Sequence, residues 1–282
     1  MSTSDSTASS NLFPFLTCKS CIVQGRCFPH YLSASEIEQF EHLIGRRRRI
    51  LRGHFAYRAH EECTKLFIIR MGSFKTVRIS PHGDMDIISF HHVGDLLGMG
   101  SASRTRYEVD AIALEDSQIC ETSIGGLASL SRTIPSLQHQ VLQRLSEQVT
   151  VMQRQSLLLK SKSEQRFATF ILDLSRISSR SGHSADDFTL HMSRTDIGLF
   201  LGLTNESISR LISRFRKTGL IEVSVRKVHV LAPHALEELA SGAVSWNQYE
   251  KDQTERICAK AHEIEMGKFF VLDQKTATSN ST

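Results

Sequence analysis

The chain has 282 residues, of which 40% are hydrophobic, so it is long enough for two folded domains of ordinary size. Its 34 Lys and Arg residues against 30 Asp and Glu residues leave a net charge of only +4, which permits a polyanionic partner without requiring one. No stretch approaches the roughly 18 apolar residues of a membrane span, and the polar start is unlike a secretory signal. We therefore expect a cytoplasmic protein without a membrane partner.

The first half of the chain predicts a short helix followed by strands. Residues 1–14 are polar and rich in Ser and Thr, which predicts a disordered tail. Apolar residues at helical spacing from Ser33 to Ile44 predict a helix that ends before Gly45 and the run Arg46–Arg49. From about residue 50 to residue 123, runs such as LFIIR, FKTVRI and DIISF, separated by glycines, predict a compact antiparallel β-domain. Its clearest hairpin is ISPHGDMDIISF, with Gly-Asp at the turn.

The cysteines are unevenly distributed, because three of the six lie within ten residues in a C-x2-C-x5-C arrangement: Cys18, Cys21 and Cys27. Six cysteines are too few for a disulfide scaffold, and in a reducing compartment this crowding indicates a metal site. Three thiolates leave a four-cysteine site incomplete, and the spacing does not choose the fourth ligand among Cys63, Cys120 and Cys258. Such a site suits structural zinc, which is the commoner occupant, or an iron-sulfur cluster. His30 is a less favoured ligand.

A long helix is predicted from Pro135 to about Lys160, within a segment of residues 134–161. Its seam positions alternate at spacings of three and four over almost three heptads: Leu142, Leu145, Val149, Met152, Ser156 and Leu159. A seam of this kind indicates a partner helix. The alternative is that the helix packs only on the β-domain of its own chain.

A second domain is predicted over residues 162–240, followed by a polar tail over residues 241–282. The apolar run FATFILDLS predicts a helix, and a polar loop follows over residues 178–187. The stretch MSRTDIGLFLGLTNESISRLISRFRKTGLI then predicts two helices capped by Ser193 and Thr204, with a sharp turn at Gly202. The side chains expected to face inward from these two helices are Ile197, Leu199, Phe200, Ile208, Leu211, Ile212 and Phe215.

The second of these two helices carries side chains suited to reading DNA. Glu206, Ser209 and Arg210 share its outward face, where an Arg can pair with guanine and a Glu can accept from a cytosine amino group. Further candidates contact phosphates, two of them in a predicted β-hairpin wing, EVSVRKVHVL: Thr204, Arg214, Arg216, Lys217, Arg226 and Lys227. The alternative is a helix pair with a solvated charged face. We expect double-stranded DNA as the partner.

The segment DIGLFLGLTNESISRLISRFRKTGLI resembles the helix-turn-helix of the CRP/FNR regulators, and the order of the domains is similar over roughly residues 15–240. The oxygen-responsive FNR regulators are most similar, because they carry Glu, Ser and Arg where this chain has Glu206, Ser209 and Arg210. The resemblance implies an α+β fold: an antiparallel, cupin-like β-roll as the sensory domain (residues 15–133), a dimerisation helix and a C-terminal winged helix-turn-helix. It also implies palindromic TTGAT-type sites, bound by a homodimer that forms along the seam described above. RNA polymerase is a further expected partner, through loops such as residues 81–86.

For the cofactor, the resemblance implies one [4Fe-4S] cluster per subunit. FNR regulators hold it with three N-terminal cysteines at this spacing and a fourth in a context similar to SQICETSIGGL, which makes Cys120 the match. Loss of the cluster to oxygen is then expected to lower DNA affinity by shifting the dimer towards monomers. Zinc without redox sensing is the alternative. FNR regulators carry an acidic residue where this chain has Met152, so we expect its cluster-free dimer to be more populated than theirs.

Two other functions are not expected. A cyclic nucleotide would need a Gly-Glu turn and an Arg-Ser pair in the same β-roll, where GDLLGMGSASRTRYEVDA instead has Asp95 and the pair Thr105-Arg106. An enzyme is not expected, because the sequence has no phosphate-cradling Gly-rich loop, no paired zinc-ligand histidines on a helix and no nucleophile with a base.

Overall fold

The structure is a computed structural model that describes residues 17–21, 25, 27–28, 31–180 and 184–255. Its contacts divide the chain into two units, Met1–Gln155 with His191–Phe200, and Ser156–Leu190 with Leu201–Thr282. The predicted disordered tail, His30 and Cys258 lie outside the described residues. The domain boundaries given above stay predictions. In the described part of the chain, no helix is both long and apolar enough to cross a membrane.

The first unit consists of an antiparallel β-domain flanked by helices. Its described elements are α1 (Ala34–Glu41), β1 (Ile44–Ile50), β2 (Phe55–Tyr57), β3 (Lys65–Met71), β4 (Phe74–Ile79), β5 (Met85–His91), β6 (Leu96–Leu97), β7 (Asp110–Ala113), β8 (Ser117–Ser123), α2 (Ile124–Thr133) and the start of α3 (Pro135–Leu158). The strands form two four-stranded antiparallel sheets with the orders β1-β8-β3-β6 and β2-β7-β4-β5. The predicted β-domain, its hairpin (β4 and β5) and the long helix are therefore confirmed.

The first unit has two apolar cores, because β3 buries side chains on both of its faces. Phe67 and Ile69 point between the two sheets, into a core shared with Phe74 of β4. Leu66 and Ile68 point the other way, into an outer core that the helices cover. Alternate residues of a strand face opposite sides of its sheet, so a strand buried on both sides shows a continuous apolar run, as LFII does here.

The predicted first helix is shorter than expected. Ser33 caps α1 through a capping box with Glu36, but the helix ends at Glu41 rather than at Ile44. Ile44 and the arginine run that follows belong to strand β1, which pairs with β8 from Ile44↔Thr122 to Ile50↔Ser117. The prediction failed because it used local spacing only, and pairing with a strand some 70 residues later is not a local signal.

The second unit combines helices with a small sheet. In chain order its described elements are α4 (Ser163–Arg180), β9 (Asp187–Thr189), α6 (Asn205–Lys217), β10 (Ile221–Ser224), β11 (Lys227–Val230) and α7 (Pro233–Ser241), and residues 246–255 are also helical. The sheet has the order β10-β11-β9. A further helix, α5 (Arg194–Leu201), precedes α6 in the chain. The apolar side of α4 meets α6, where the rings of Phe167 and Phe215 lie edge to face at 5.0 Å.

Candidate metal centre and nucleic-acid interface

The structure brings the three N-terminal thiols and Cys120 to one region. Cys18, Cys21 and Cys27 lie in the segment before α1, and Cys120 lies in the middle of β8. Cys18, Cys27 and Cys120 all pack against the outer core. The fully buried ring of Phe28, 6.3 Å from that of Phe40 in α1, fixes the end of this segment in the same core.

The surroundings of Cys18 and Cys27 oppose the thiolate form of both side chains. Burial raises the pKa of Cys18 to about 11, and the charges of Glu41 and Cys120 add to the rise. Burial also raises the pKa of Cys27 far above its usual range, followed by repulsion from Cys120 and Cys21. These mutual repulsions mean that the four sulfurs lie within electrostatic range of one another. A positively charged group between the thiols would instead favour the thiolate form, because a metal ion deprotonates the thiol that coordinates it.

No three Cys, His, Asp or Glu side chains among the described residues lie close enough together to hold a single metal ion. The fourth-ligand candidate Cys63 is elsewhere: it is buried in the core between the two sheets, and its Sγ donates to the backbone oxygen of Ser101 at 3.3 Å. Cys258 lies outside the described residues. Of the candidates for a fourth ligand, the structure thus places Cys120, and not Cys63, beside the N-terminal thiols.

The segment in which a cyclic nucleotide would bind, GDLLGMGSASRTRYEVDA, makes contacts within the protein. Asp95 Oδ2 accepts from the backbone N–H of His92 at 2.8 Å, and Arg106 Nη1 donates to the backbone oxygen of His60 at 2.5 Å. Inside the roll, the ring of Tyr107 stacks on that of Tyr57 with centroids 4.0 Å apart. Asp95, Arg106 and Tyr107 therefore make contacts that stabilise the β-domain.

The helix-turn-helix segment contains the caps and the turn that the sequence predicts. The Ser193 hydroxyl accepts from the backbone N–H of Asp196 at 3.0 Å, and the Thr204 hydroxyl accepts from that of Ser207 at 3.1 Å. Gly202, between α5 and α6, has a φ of +63°, a left-handed conformation that favours glycine. The side chains predicted to face inward from α6 are all buried: Ile208, Leu211, Ile212 and Phe215.

One apolar residue of this segment is not where the sequence predicts it. Ile197 of α5 is buried, but Leu199 is 43% exposed, and Leu201 takes the buried position instead. Leu199 was placed inward because α5 is apolar at consecutive positions, and such a run does not define a unique face. The prediction for Leu199 was wrong.

The candidate base-reading residues lie at the start of α6. Glu206 and Arg210 are exposed, and Arg210 Nη2 lies 3.5 Å from Glu206 Oε1. Ser209 is half-buried, and its hydroxyl donates to the backbone oxygen of Asn205 at 3.0 Å. These residues, one helical turn apart, share one face of α6.

Five of the phosphate candidates are exposed in the second unit: Thr204, Arg216, Lys217, Arg226 and Lys227. Arg226 lies in the turn of the wing between β10 and β11, and Lys227 begins β11. The sixth candidate, Arg214, is half-buried and ion-paired, with its Nη1 2.8 Å from Glu164 Oε1. Its guanidinium also stacks over the ring of Trp246 at 4.5 Å. Contacts of all six with phosphate stay predictions.

The sequence analysis missed the role of the segment after α7, which we call the C-terminal extension (residues 243–255). Its Trp246 is 5% exposed and stacks on Phe215 of α6 with ring centroids 5.0 Å apart. The indole Nε1 donates to Glu250 Oε2 at 3.1 Å, and that carboxylate lies 3.8 Å from Arg214. The signal was present in the sequence, because an aromatic residue within a polar segment is rarely left exposed.

The seam of α3 is exposed to solvent over its length. The apolar side chains of the predicted dimerisation surface are 40% to 60% exposed: Leu142, Leu145, Val149, Met152 and Leu159. In contrast, Leu137 at the start of α3 is fully buried in the outer core. Among the described residues, α3 thus packs on the outer core at its start, and the apolar side chains of the seam are exposed.

Comparison with known proteins gives matches over most of the chain. Residues 47–134 match a model of the cyclic nucleotide-binding domain, and residues 165–239 match one of the Crp-like helix-turn-helix domain. Electron transport regulator A of Shewanella oneidensis is 37% identical over 227 residues, which are 80% of this chain and 91% of that protein.

Two further proteins share this organisation. The fumarate and nitrate reduction regulatory protein of Escherichia coli is 37% identical over 224 residues, covering 79% of this chain and 90% of that protein. The crystallised FixK2 from Bradyrhizobium japonicum is similar in fold, with a TM-score of 0.64 and 23% identity over 70% of this chain and 98% of that one.

The contacts of Trp246 predict that the C-terminal extension stabilises the second unit. We expect Trp246→Ala to lower the free energy of unfolding by about 3 kcal/mol, as large-to-small changes of buried aromatic residues do. Urea denaturation followed by circular dichroism measures the loss. Gln248→Ala, in the same extension but exposed, is the matched control and should leave the midpoint unchanged. Equal stability of both variants would show that the extension does not contribute to the core.

Proposed function

The chain belongs to the CRP/FNR family of DNA-binding transcription regulators, and we propose that it senses oxygen through a [4Fe-4S] cluster held by its N-terminal cysteines and Cys120. The family match confirms the predicted regulator and agrees with the prediction that the chain is not an enzyme. The two relatives named above are regulators of electron transport and of fumarate and nitrate reduction, respectively. Both names concern respiration, which supports a signal linked to oxygen.

The donor set fits an iron-sulfur cluster. Four thiols at one place are the ligands that such clusters take. The charges of Cys18, Cys21 and Cys120 all act on Cys27, so the four thiols are near enough to one another to interact, as the ligands of one cofactor would be. When bound, the cluster would supply a redox centre that oxygen can destroy.

The observation that carries the proposal is that the thiols and the start of the dimerisation helix share one core. Cys27 and Cys120 pack against the same cluster of buried residues as Ile134 and Leu137. The Ser136 hydroxyl, in the first turn of α3, donates to Glu36 of α1 at 2.8 Å. A change in how the thiol segment packs is therefore felt where α3 is anchored, because a close-packed core transmits small displacements.

We further propose that the active form is a homodimer that binds palindromic TTGAT-type DNA. The exposed apolar seam of α3 supports the dimer, because burying such side chains is favourable. Two copies of α6 would then meet successive major-groove faces about 34 Å apart. Contacts with RNA polymerase through the segment of residues 81–86, and a cytoplasmic location, belong to the same proposal. No cyclic nucleotide is part of it.

The cofactor is tested with protein purified without air. We expect broad visible absorption, iron and acid-labile sulfide in equal amounts, and bleaching on aeration. Cys120→Ser should abolish the absorption because it removes a ligand, whereas Cys63→Ser should retain it, because Cys63 lies in the other core. A colourless wild-type protein containing zinc would instead support a regulator without redox sensing, and an unaltered Cys120→Ser spectrum would contradict the ligand assignment.

DNA reading is tested by comparing a base-reading residue with a phosphate candidate. Arg210→Ala should lower affinity for a TTGAT palindrome by about tenfold or more and relax the preference at one base pair, because a bidentate contact is lost. Lys217→Ala should weaken binding to all sequences alike and reduce its salt dependence. Anaerobic fluorescence anisotropy at several salt concentrations measures both. If Arg210→Ala weakens cognate and scrambled DNA equally, Arg210 does not read bases.

The apolar Met152 predicts a cluster-free dimer. Burial of a methionine contributes about 1.5 to 3 kcal/mol, so we expect dimers in cluster-free wild-type protein at micromolar concentrations. Met152→Asp should convert them to monomers, since two carboxylates would meet across the seam. Thr150→Asp introduces the same charge on the opposite face of α3 and should leave the dimer intact. Sedimentation equilibrium measures the populations, and a monomeric cluster-free wild type would refute the prediction.

A further inference from the structure

Arg47 lies directly beside the proposed cluster ligand in β8. In the antiparallel ladder of β1 and β8, Arg47 is the cross-strand partner of Cys120. Residues opposite each other in such a ladder project on the same face of the sheet. The register of β1 shifts between Ile44 and Arg47, and an irregularity of this kind re-aims a side chain. The Arg47 guanidinium and the Cys120 thiol therefore share one face.

Electrostatics at Cys120 agree with this placement. Burial raises the pKa of Cys120, whereas the charge of Arg47 and a hydrogen bond from its guanidinium lower it. Arg70, which donates to Gln118 at 3.3 Å, is a weaker source of positive potential. The Arg47 guanidinium is thus the main source of positive potential at the Cys120 thiol.

Glu41 at the end of α1 connects Arg47 to the N-terminal thiols. Its Oε1 accepts from the backbone N–H of Cys18 at 3.1 Å and lies 3.7 Å from Arg47 Nη2. The two side chains are 27% and 38% exposed, so water screens the pair only partly. The Glu41 carboxylate thereby contacts both the backbone of Cys18 and the guanidinium of Arg47, the cross-strand partner of Cys120.

The other arginines of the same run have different roles. Arg48 pairs with Glu121 at 3.1 Å, and Arg49 pairs with Asp116 at 2.8 Å. Arg46 is exposed and lies inside the register shift between Ile44 and Arg47, where the pairing with β8 is irregular. Placement beside the thiols therefore distinguishes Arg47 from the rest of the run.

We propose that Arg47 is a positioning residue that stabilises the cluster and sets its reduction potential. This inference rests on the proposed function, in which the thiols hold a cluster. Four thiolates carry more negative charge than the iron-sulfur core offsets, so a nearby guanidinium stabilises the loaded site. A nearby positive charge also favours the more negative, reduced form of the cluster and so raises its reduction potential. Glu41 keeps the guanidinium in place.

The test compares Arg47→Ala with Arg47→Lys and with the control Arg46→Ala, all purified without air. The readouts are the midpoint reduction potential of the cluster and the rate at which its visible absorption disappears in air. We expect Arg47→Ala to lower the potential and to lose absorption about tenfold faster, a typical effect of removing a residue that supports a metal ligand. Arg47→Lys should lie near wild type, because it keeps the charge. Arg46→Ala should match wild type.

Each outcome decides between the alternatives. If Arg47→Ala matches Arg46→Ala in potential and decay rate, the inference is wrong and the proposed function stands. If Arg47→Ala cannot be loaded with iron, Arg47→Lys decides, because a lysine variant that also fails to load overturns the inference. If Arg47→Lys changes the potential and the decay rate as much as Arg47→Ala does, the positive charge has no effect and the inference is overturned. A wild-type chain without iron and sulfide refutes both proposals.

Discussion

The outer face of the β1-β8-β3-β6 sheet has to be covered, because β3 carries apolar residues on both of its sides. Leu66 and Ile68 on this face are as deeply buried as Phe67 and Ile69 on the other. The cover consists of α1, α2, the first turns of α3 and the segment that carries the N-terminal thiols. The apolar requirement of one strand therefore brings the candidate sensor and the anchor of the dimerisation helix into the same core.

The burial that completes this core acts against the charged form of the thiols. A thiol with a pKa of about 11, as at Cys18, is neutral at physiological pH, because an apolar environment penalises the thiolate. A metal cofactor changes this, since it binds the thiolate and offsets part of its charge. The core is thus compatible with two states, one with neutral thiols and one with a bound cofactor, and these states differ in charge at the place where α3 is anchored.

The sequence was sufficient for elements whose signals are local. The caps, the turn and the apolar spacing predicted α6, and helical periodicity alone predicted that Glu206 and Arg210 are exposed. Elements that depend on distant partners were missed. The arginine run became a strand through pairing with β8, and Leu199 is exposed although its neighbours are apolar. The spacing of the cysteines could not choose a fourth ligand, since Cys120 reaches the others only through the order of the strands in the sheet.

The two ends of α6 differ in how firmly the rest of the protein holds their side chains. The second half of α6 is packed firmly, because Phe215 lies between the rings of Phe167 and Trp246. Arg214 is also ion-paired with Glu164 and Glu250. The first turn of α6 is not held in this way, since Glu206 is exposed and pairs with Arg210 at 3.5 Å. An exposed ion pair contributes about 0 to 1 kcal/mol, so base edges can replace it at little cost. A helix fixed at one end and weakly paired at the other holds the candidate base-reading residues in position and leaves them exposed.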